Sequence, residues 1–260
     1  MEVRDVRGPE ELRACQALQR RAWGIIEDGY VVPVATMAAV QKMGGLVLGA
    51  FADDERLVGF TFAFLGRMDG ELVLYSQLAA VEPGHQGAGI GRRLKLEQRR
   101  RAREDGLGRV VWAFDPLRAS NAAFNLGVLG AICRRYEVDL YGSRSDALNV
   151  GLATDRLLAE WSTREEPRPL MEAWPDAPDV VERDPPDLPR GVREPARLGC
   201  ARVRIEVPAD LTEVSLAGTA QVWQQHVRDA FQAAFAAGYV AVGFTRADSS
   251  RPRYLLHRRA

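Results

Sequence analysis

Residues 83–91 read Pro-Gly-His-Gln-Gly-Ala-Gly-Ile-Gly, and no feature of the chain restricts its fold more. A strand-like run, Glu71–Val81, leads into this turn, and a strongly charged helical run, residues 92–104, leads out of it. Gly87, Gly89 and Gly91 remove the side chains that would keep an anion from backbone N–H groups. Those N–H groups also stand at a helix N-terminus, where donors lack intrahelical partners and the helix dipole favours negative charge. A diphosphate is the natural guest.

Spacing separates the phosphate-binding loops that share this logic. The loop of many NTPases requires Gly-Lys-Ser/Thr, whereas Gly91 is followed by Arg92 and Arg93. The dinucleotide fingerprint GxGxxG is met by Gly87 and Gly89 but has Arg92 where its third glycine belongs. That fingerprint also belongs on the first strand–helix turn of a parallel sheet. Here the turn follows a run of hairpins: Leu46–Phe51, residues 57–65 and Glu71–Val81 are strand-like, with Asp53, Asp54, Asp69 and Gly70 supplying turn chemistry.

The flanking elements complete the pattern. Residues 3–6 alternate as a short strand. Leu12, Cys15, Leu18, Ala22 and Trp23 recur at helical spacing behind Pro9 and two glutamates, so 9–23 reads as an amphipathic helix. Residues 34–43 form a second helix, ended by Gly44 and Gly45. After the glycine turn and its helix, Arg109–Phe114 is a strand stopped by Asp115 and Pro116, and 121–136 is a helix weakened by Gly127 and Gly130. Residues 138–141 and 157–161 read as further strands. Prolines crowd 165–199 (Pro167, Pro169, Pro175, Pro178, Pro185, Pro186, Pro189, Pro195), which marks a linker or an extended surface arm. Residues 200–260 recover periodicity as a small α+β unit: Val203, Ile205 and Val207 alternate, Val222, Val227, Phe231 and Phe235 lie on a helix, and 239–244 and 254–256 are strand-like.

Residues 80–91, Ala-Val-Glu-Pro-Gly-His-Gln-Gly-Ala-Gly-Ile-Gly, closely resemble the coenzyme A-binding motif of the GNAT superfamily of N-acetyltransferases: Val-x-Pro followed by Gln/Arg-x-x-Gly-x-Gly/Ala at this separation. The order of elements over residues 1–161 is similar as well. The stretches 115–130 and 154–161 resemble a GNAT subgroup that carries a C-terminal extension. The resemblance implies an α+β fold with a mixed, mainly antiparallel central sheet flanked by helices. The domains expected are 1–164 for acyl-CoA binding and catalysis, the arm 165–199, and 200–260 as an appended unit. The strands of that unit either form a partial second copy or complete the main sheet.

What the resemblance implies chemically is acyl transfer from acetyl-CoA or another acyl-CoA, as co-substrate and without a metal, to a primary amine of a small molecule such as an amino acid. Attack would be direct, in a ternary complex. The backbones of Ala79, Ala80 and Val81 would pair with the pantetheine arm, and those of Gln86, Gly87, Ala88, Gly89, Ile90 and Gly91 would hold the diphosphate. Arg92 would meet phosphate oxygens, and Asn121 stands near the asparagine that commonly precedes the next helix. Many members carry a tyrosine general acid in that helix, and the matching position here is Leu126. Tyr75, Tyr136 and Tyr141 are the substitutes for the acid. Glu27, in the loop between the first two helices, is the candidate base; Asp28, Glu71 and Asp115 are others. The missing tyrosine keeps open a second class, a non-catalytic acyl-CoA sensor or scaffold. Amino-acid N-succinylation, with Arg118 facing the acyl carboxylate, is a minor alternative.

Composition sets the remaining bounds. Thirty-five basic and 35 acidic residues cancel, which argues against a general nucleic-acid binder. Cys15, Cys133 and Cys200 are odd in number and lack metal-ligand spacing, so a reducing cytoplasm is expected. No run reaches the ~20 apolar residues of a membrane span, so no membrane partner is expected. A homodimer is allowed.

Overall fold

The computed structural model describes residues 1–25, 27–142, 151–166, 173–184, 188–191 and 198–258. They form two compact units, the first built on Met1–Trp112 with Ser162–Glu166, the second on residues 113–142, 151–161 and 173 onward. The chain is α+β, with mixed and mainly antiparallel strand pairing, as expected from the sequence.

In the first unit, strands β1 (Glu2–Asp5), β2 (Leu46–Phe51), β3 (Leu57–Met68), β4 (Glu71–Val81) and β5 (Arg109–Phe114) lie in sequence order. The first four pair antiparallel, and β5 pairs parallel with β4. Helix α1 (Gly8–Trp23) starts on Pro9, Glu10 and Glu11 and ends at left-handed Gly24, the start and stop chemistry read from the sequence. Its Leu12, Cys15 and Leu18 bury against Met37 of α2 (Val34–Lys42) and against Phe60 and Phe62 of β3. Helix α3 (Ile90–Glu104) packs Ile90 and Leu94 on Leu48, Ala50 and Val58. It comes that close because Gly59 has no side chain, since a Cβ there would lie 2.9 Å from Ile90 and 3.2 Å from Leu94.

The second unit holds α4 (Ala119–Ala122), which runs into a π-helical turn, Ala123–Val128, and then β6 (Ile132–Glu137) and β7 (Arg156–Ser162). It continues with β8 (Asp179–Asp184), β9 (Leu188–Gly191), β10 (Arg202–Glu206), α5 (Leu211–Leu216), α6 (Ala220–Ala236), β11 (Tyr239–Thr245) and β12 (Arg253–Arg258). Its strand order is β7-β6-β11-β12-β10-β8-β9. Phe231 of α6 packs edge-on against Tyr254 at 5.0 Å.

Two local expectations are corrected. The helix expected over 121–136 stops at Val128, because left-handed Gly130 (φ +72°) breaks it and residues 132–137 pair antiparallel with β7. Sheet pairing here overrides helix propensity. The strand expected over 138–141 is a turn instead, with Asp139 left-handed at φ +49°. The proline-crowded stretch 165–199 contains β8 and β9: Val181 is fully buried and β8 pairs in parallel with β10. Of its described prolines, Pro175 and Pro178 precede β8 and Pro189 sits in β9, at the end of the strand order. The C-terminal strands extend the sheet that holds β6, since Ala241 of β11 pairs with Cys133.

Candidate functional site

The site starts from a fork in the sheet. Strands β4 and β5 run parallel and are in register at only two pairs, Leu74↔Val110 and Tyr75↔Val111. The closed end is fastened by Arg109, whose guanidinium meets Glu71 at 3.1 Å and Asp69 at 3.5 Å. On its other side β4 pairs with β3 along its whole length, with an irregularity that leaves Gln77 unmatched. Residues 76–81 therefore offer one edge of β4 that no neighbouring strand takes up among the described residues. Unpaired strand edges are templates for an extended partner.

That open edge leads into the glycine turn. The Glu82 N–H donates to the Val58 carbonyl, and Pro83–His85 makes a single helical turn. The Arg21 guanidinium grips the Glu82 carboxylate through both of its oxygens at 2.7–3.0 Å, which holds Glu82 below the usual carboxylate range. The Gln86 side chain donates to the Val81 carbonyl at 3.4 Å. Gly87 (φ +81°) and Gly89 (φ +78°) are both left-handed, and a Cβ on either would meet nothing within 4 Å. Gly89 is the N-cap of α3 and supplies no side-chain cap. The first N–H groups of the helix, at Ile90, Gly91 and Arg92, are therefore left for another acceptor. No acidic residue occupies the first turn of α3 to compete for them. Arg92 and Arg93 are exposed there. Nδ1 of His85, in the same turn, is buried without a hydrogen-bond partner in the protein. An open, uncapped, cation-flanked helix start suits a diphosphate.

The expected pantetheine-facing residues fall on the open stretch of β4: Ala79 is exposed, Val81 half-buried and Ala80 buried. Asn121 is exposed in α4 of the second unit. Glu27 is exposed in the link between α1 and α2. Tyr75 is half-buried on β4, its ring 5.2 Å from Phe64. Tyr136 lies in β6 of the second unit and donates to the Asp155 carboxylate at 2.7 Å. Burial, and then that bond, push its phenol well above the usual tyrosine range, which makes it a weak acid. Leu126 is buried in the π-helical turn, with a side chain that moves no proton.

Two buried polar groups escaped the sequence reading. Asp155, 1% exposed, takes both Tyr136 and a two-point grip from Arg228 of α6 at 2.8 and 2.9 Å. Lys95 is buried under β4, where its ammonium donates to Ser76 at 2.7 Å. Neither has a local signature, because the partners are 73 and 19 residues apart. Asp115, at the end of β5, has its carboxyl raised by burial, against the Leu117 N–H bond and the nearby Arg156 and Arg118. A carboxyl raised in this way is a stronger base than an exposed one. Among the described residues no helix is long and apolar enough to cross a membrane.

No family model matches the chain, and no curated protein matches it. Solved structures do. One is yncA from Salmonella typhimurium, provisionally assigned as an acetyltransferase and solved with its cofactor acetyl-CoA. It is 21% identical with a TM-score of 0.52, over 66% of this chain and 98% of that one. An N-acetyltransferase from Staphylococcus aureus Mu50 is 14% identical with a TM-score of 0.51, over 63% and 98%. An aminoglycoside 6'-acetyltransferase type Ii is 17% identical with a TM-score of 0.50, over 64% and 100%. The chain thus has the GNAT fold, with about a third of its length beyond what these structures cover.

Proposed function

We propose that this GNAT-fold chain is an acyl-CoA-dependent N-acyltransferase that moves a short acyl group, acetyl in the first instance, to a primary amine of a small molecule. One observation carries the reading: the freed edge of β4 runs directly into an uncapped, glycine-lined helix start. A diphosphate held by the amides of 86–91 would lay a pantetheine chain along residues 79–81, pairing as an added strand. Six residues of β4, 76–81, extend about 20 Å at ~3.3 Å per residue, a length an extended pantetheine chain can match. The thioester would then lie near the apex of the fork.

Transfer needs a neutral amine, a stabilised oxyanion and a protonated or stabilised thiolate. A backbone N–H of 79–81 would face the developing oxyanion. Glu27 would take the amine proton, and Asp115, with its raised carboxyl, is the second candidate. The leaving thiolate has no tyrosine at position 126 to protonate it. That buried leucine also favours a second reading, an acyl-CoA sensor that binds without transfer.

Calorimetry with acetyl-CoA, followed by a free-thiol assay across a panel of small primary amines, tests both. Tight binding with amine-dependent thiol release is expected. Binding without release would leave the sensor reading, and no binding would remove both.

A further inference from the structure

Lys95 is buried in α3, yet among the described residues its ammonium makes a single hydrogen bond, to Ser76 Oγ at 2.7 Å. The same ammonium lies 3.9 Å from the centre of the Trp112 ring. Ser76 is the first residue of β4 beyond the last pair with β5, and Trp112 is the first residue of β5 beyond that same pair, Tyr75↔Val111. One cation thus touches both strands at the point where they part. We propose that Lys95 is a positioning residue that wedges β4 and β5 apart and so keeps the edge at 76–81 free for the pantetheine arm.

Two parallel strands already in register tend to continue their ladder, because each further pair satisfies a donor and an acceptor. The irregularity that leaves Gln77 unmatched begins to turn β4 away after two pairs, and a second device must hold the strands there. No proline or glycine stands at 76, 77, 112 or 113 to do it. The Lys95 ammonium occupies the first position beyond the junction, where Ser76 accepts from it and the Trp112 face attracts it. Burying a lone ammonium is costly, and among the described residues no carboxylate pairs with it. Gln98, one turn on, repeats the pattern more mildly by donating to Thr61 at 2.9 Å, and Thr61 donates to the Leu78 carbonyl. The two buried polar side chains of α3 thus reach Ser76 directly and Leu78 through Thr61, in the stretch where β4 leaves β5.

Burial lowers the Lys95 pKa to about 7, and no charged group contributes to that shift. On its own helix Arg92 and Arg99 stand a turn to either side. The helix packs on apolar Leu48 and Ala50 of β2 and Val58 of β3, and Asp5 of β1 is engaged by Arg101. Only the protonated form is drawn to the Trp112 face, and an anionic ligand favours the same form. The wedge is therefore strongest below about pH 7 and weakens above it.

The proposal rests on the acyl-CoA reading for its purpose but not for its geometry, and two measurements keep them apart. Amide hydrogen exchange without ligand reads the fork itself. In Lys95→Met the amide of 112 and those amides of 77–81 that do not bond β3 should gain at least tenfold protection as the strands zip together. Calorimetry at pH 6 should show CoA binding at least tenfold weaker than wild type. The KM for acyl-CoA should rise more than kcat falls, and the affinity gap should narrow as pH is raised through 7. Ser76→Ala keeps the buried charge and removes its acceptor, so it should show the same exchange change at smaller size; it serves if Lys95→Met does not fold. Unchanged exchange in a folded variant, or CoA affinity within twofold of wild type at pH 6, overturns the wedge. If wild type binds no CoA, the acyltransfer reading falls and the exchange result alone decides whether Lys95 holds the fork.

Discussion

Two glycines at opposite ends of α3 allow the diphosphate reading to be tested against a matched control. Gly89 caps the start of the helix at φ +78°, and Gly106 follows its end at φ +76°; a Cβ on either would meet nothing within 4 Å. Replacing either by alanine therefore adds no clash, only the cost of holding an L-residue left-handed, about 1–2 kcal/mol. For a chain of this size that lowers Tm by roughly 2–8 °C, and by the same amount in both variants. Ligand affinity should separate them. At Gly89 the new methyl stands in the open space over the first N–H groups of α3, where a phosphate must approach. Loss of one charge-assisted hydrogen bond there is worth about 1.5–3 kcal/mol, or roughly 10- to 150-fold in Kd. Gly89→Ala should show that loss in calorimetry with CoA, and Gly106→Ala should bind as wild type does. Equal affinities in the two variants, whether both weakened or both unchanged, would show that the loop does not hold the diphosphate.

Arg228→Ala strands the buried Asp155 carboxylate without its two-point partner, so chemical denaturation should register a loss of about 3–5 kcal/mol; a loss below 1 would mean that water replaces the arginine. Tyr136→Phe removes one of several donors to Asp155 and should cost about 1 kcal/mol, with kcat changed by only a few-fold. A hundredfold fall in kcat with unchanged binding would instead assign the phenol to proton transfer. Asp115 has its folded pKa raised by burial, so the folded state holds its proton more tightly than the unfolded chain does. Its contribution is lost as pH rises through the folded pKa. Asp115→Asn should therefore be more stable than wild type at pH 7, with the gap closing as acid protonates Asp115 in both states; a gap that widens in acid would reverse that sign.

How much of this was legible in the sequence follows from where each signal is written. The strands β2 to β5, the helices α1 to α3 and the glycine turn were all readable, because hydrophobic period, turn residues and capping are local. Position 89 shows why the loop was readable: a left-handed N-cap with space above it admits glycine at no steric cost. β6 was missed, because residues 132–137 acquire their strand geometry from pairing with β7 and β11, neither of which is nearby in sequence. The same holds for Lys95. In the sequence it is one cation in a run of arginines that reads as a solvated face; only the packing of α3 on the sheet turns it inward, 3% exposed.

The two halves of the proposed function therefore rest on different kinds of evidence. Binding depends on main-chain groups: an open strand edge, left-handed glycines and uncapped amides. Main-chain geometry survives extensive side-chain replacement, and the fold itself is kept at only 14–21% identity. Transfer depends on titratable side chains, and at Leu126 the residue that would mark it is apolar and buried. An enzyme and a sensor on this frame would hold acyl-CoA through the same atoms and differ only in whether a proton can leave the amine and reach the sulfur. Affinity measurements therefore cannot choose between them, however tight the binding. The choice falls to the pH dependence of thiol release at saturating acyl-CoA, where an enzyme must show the ionisation of its base and a sensor shows no amine-dependent release at any pH.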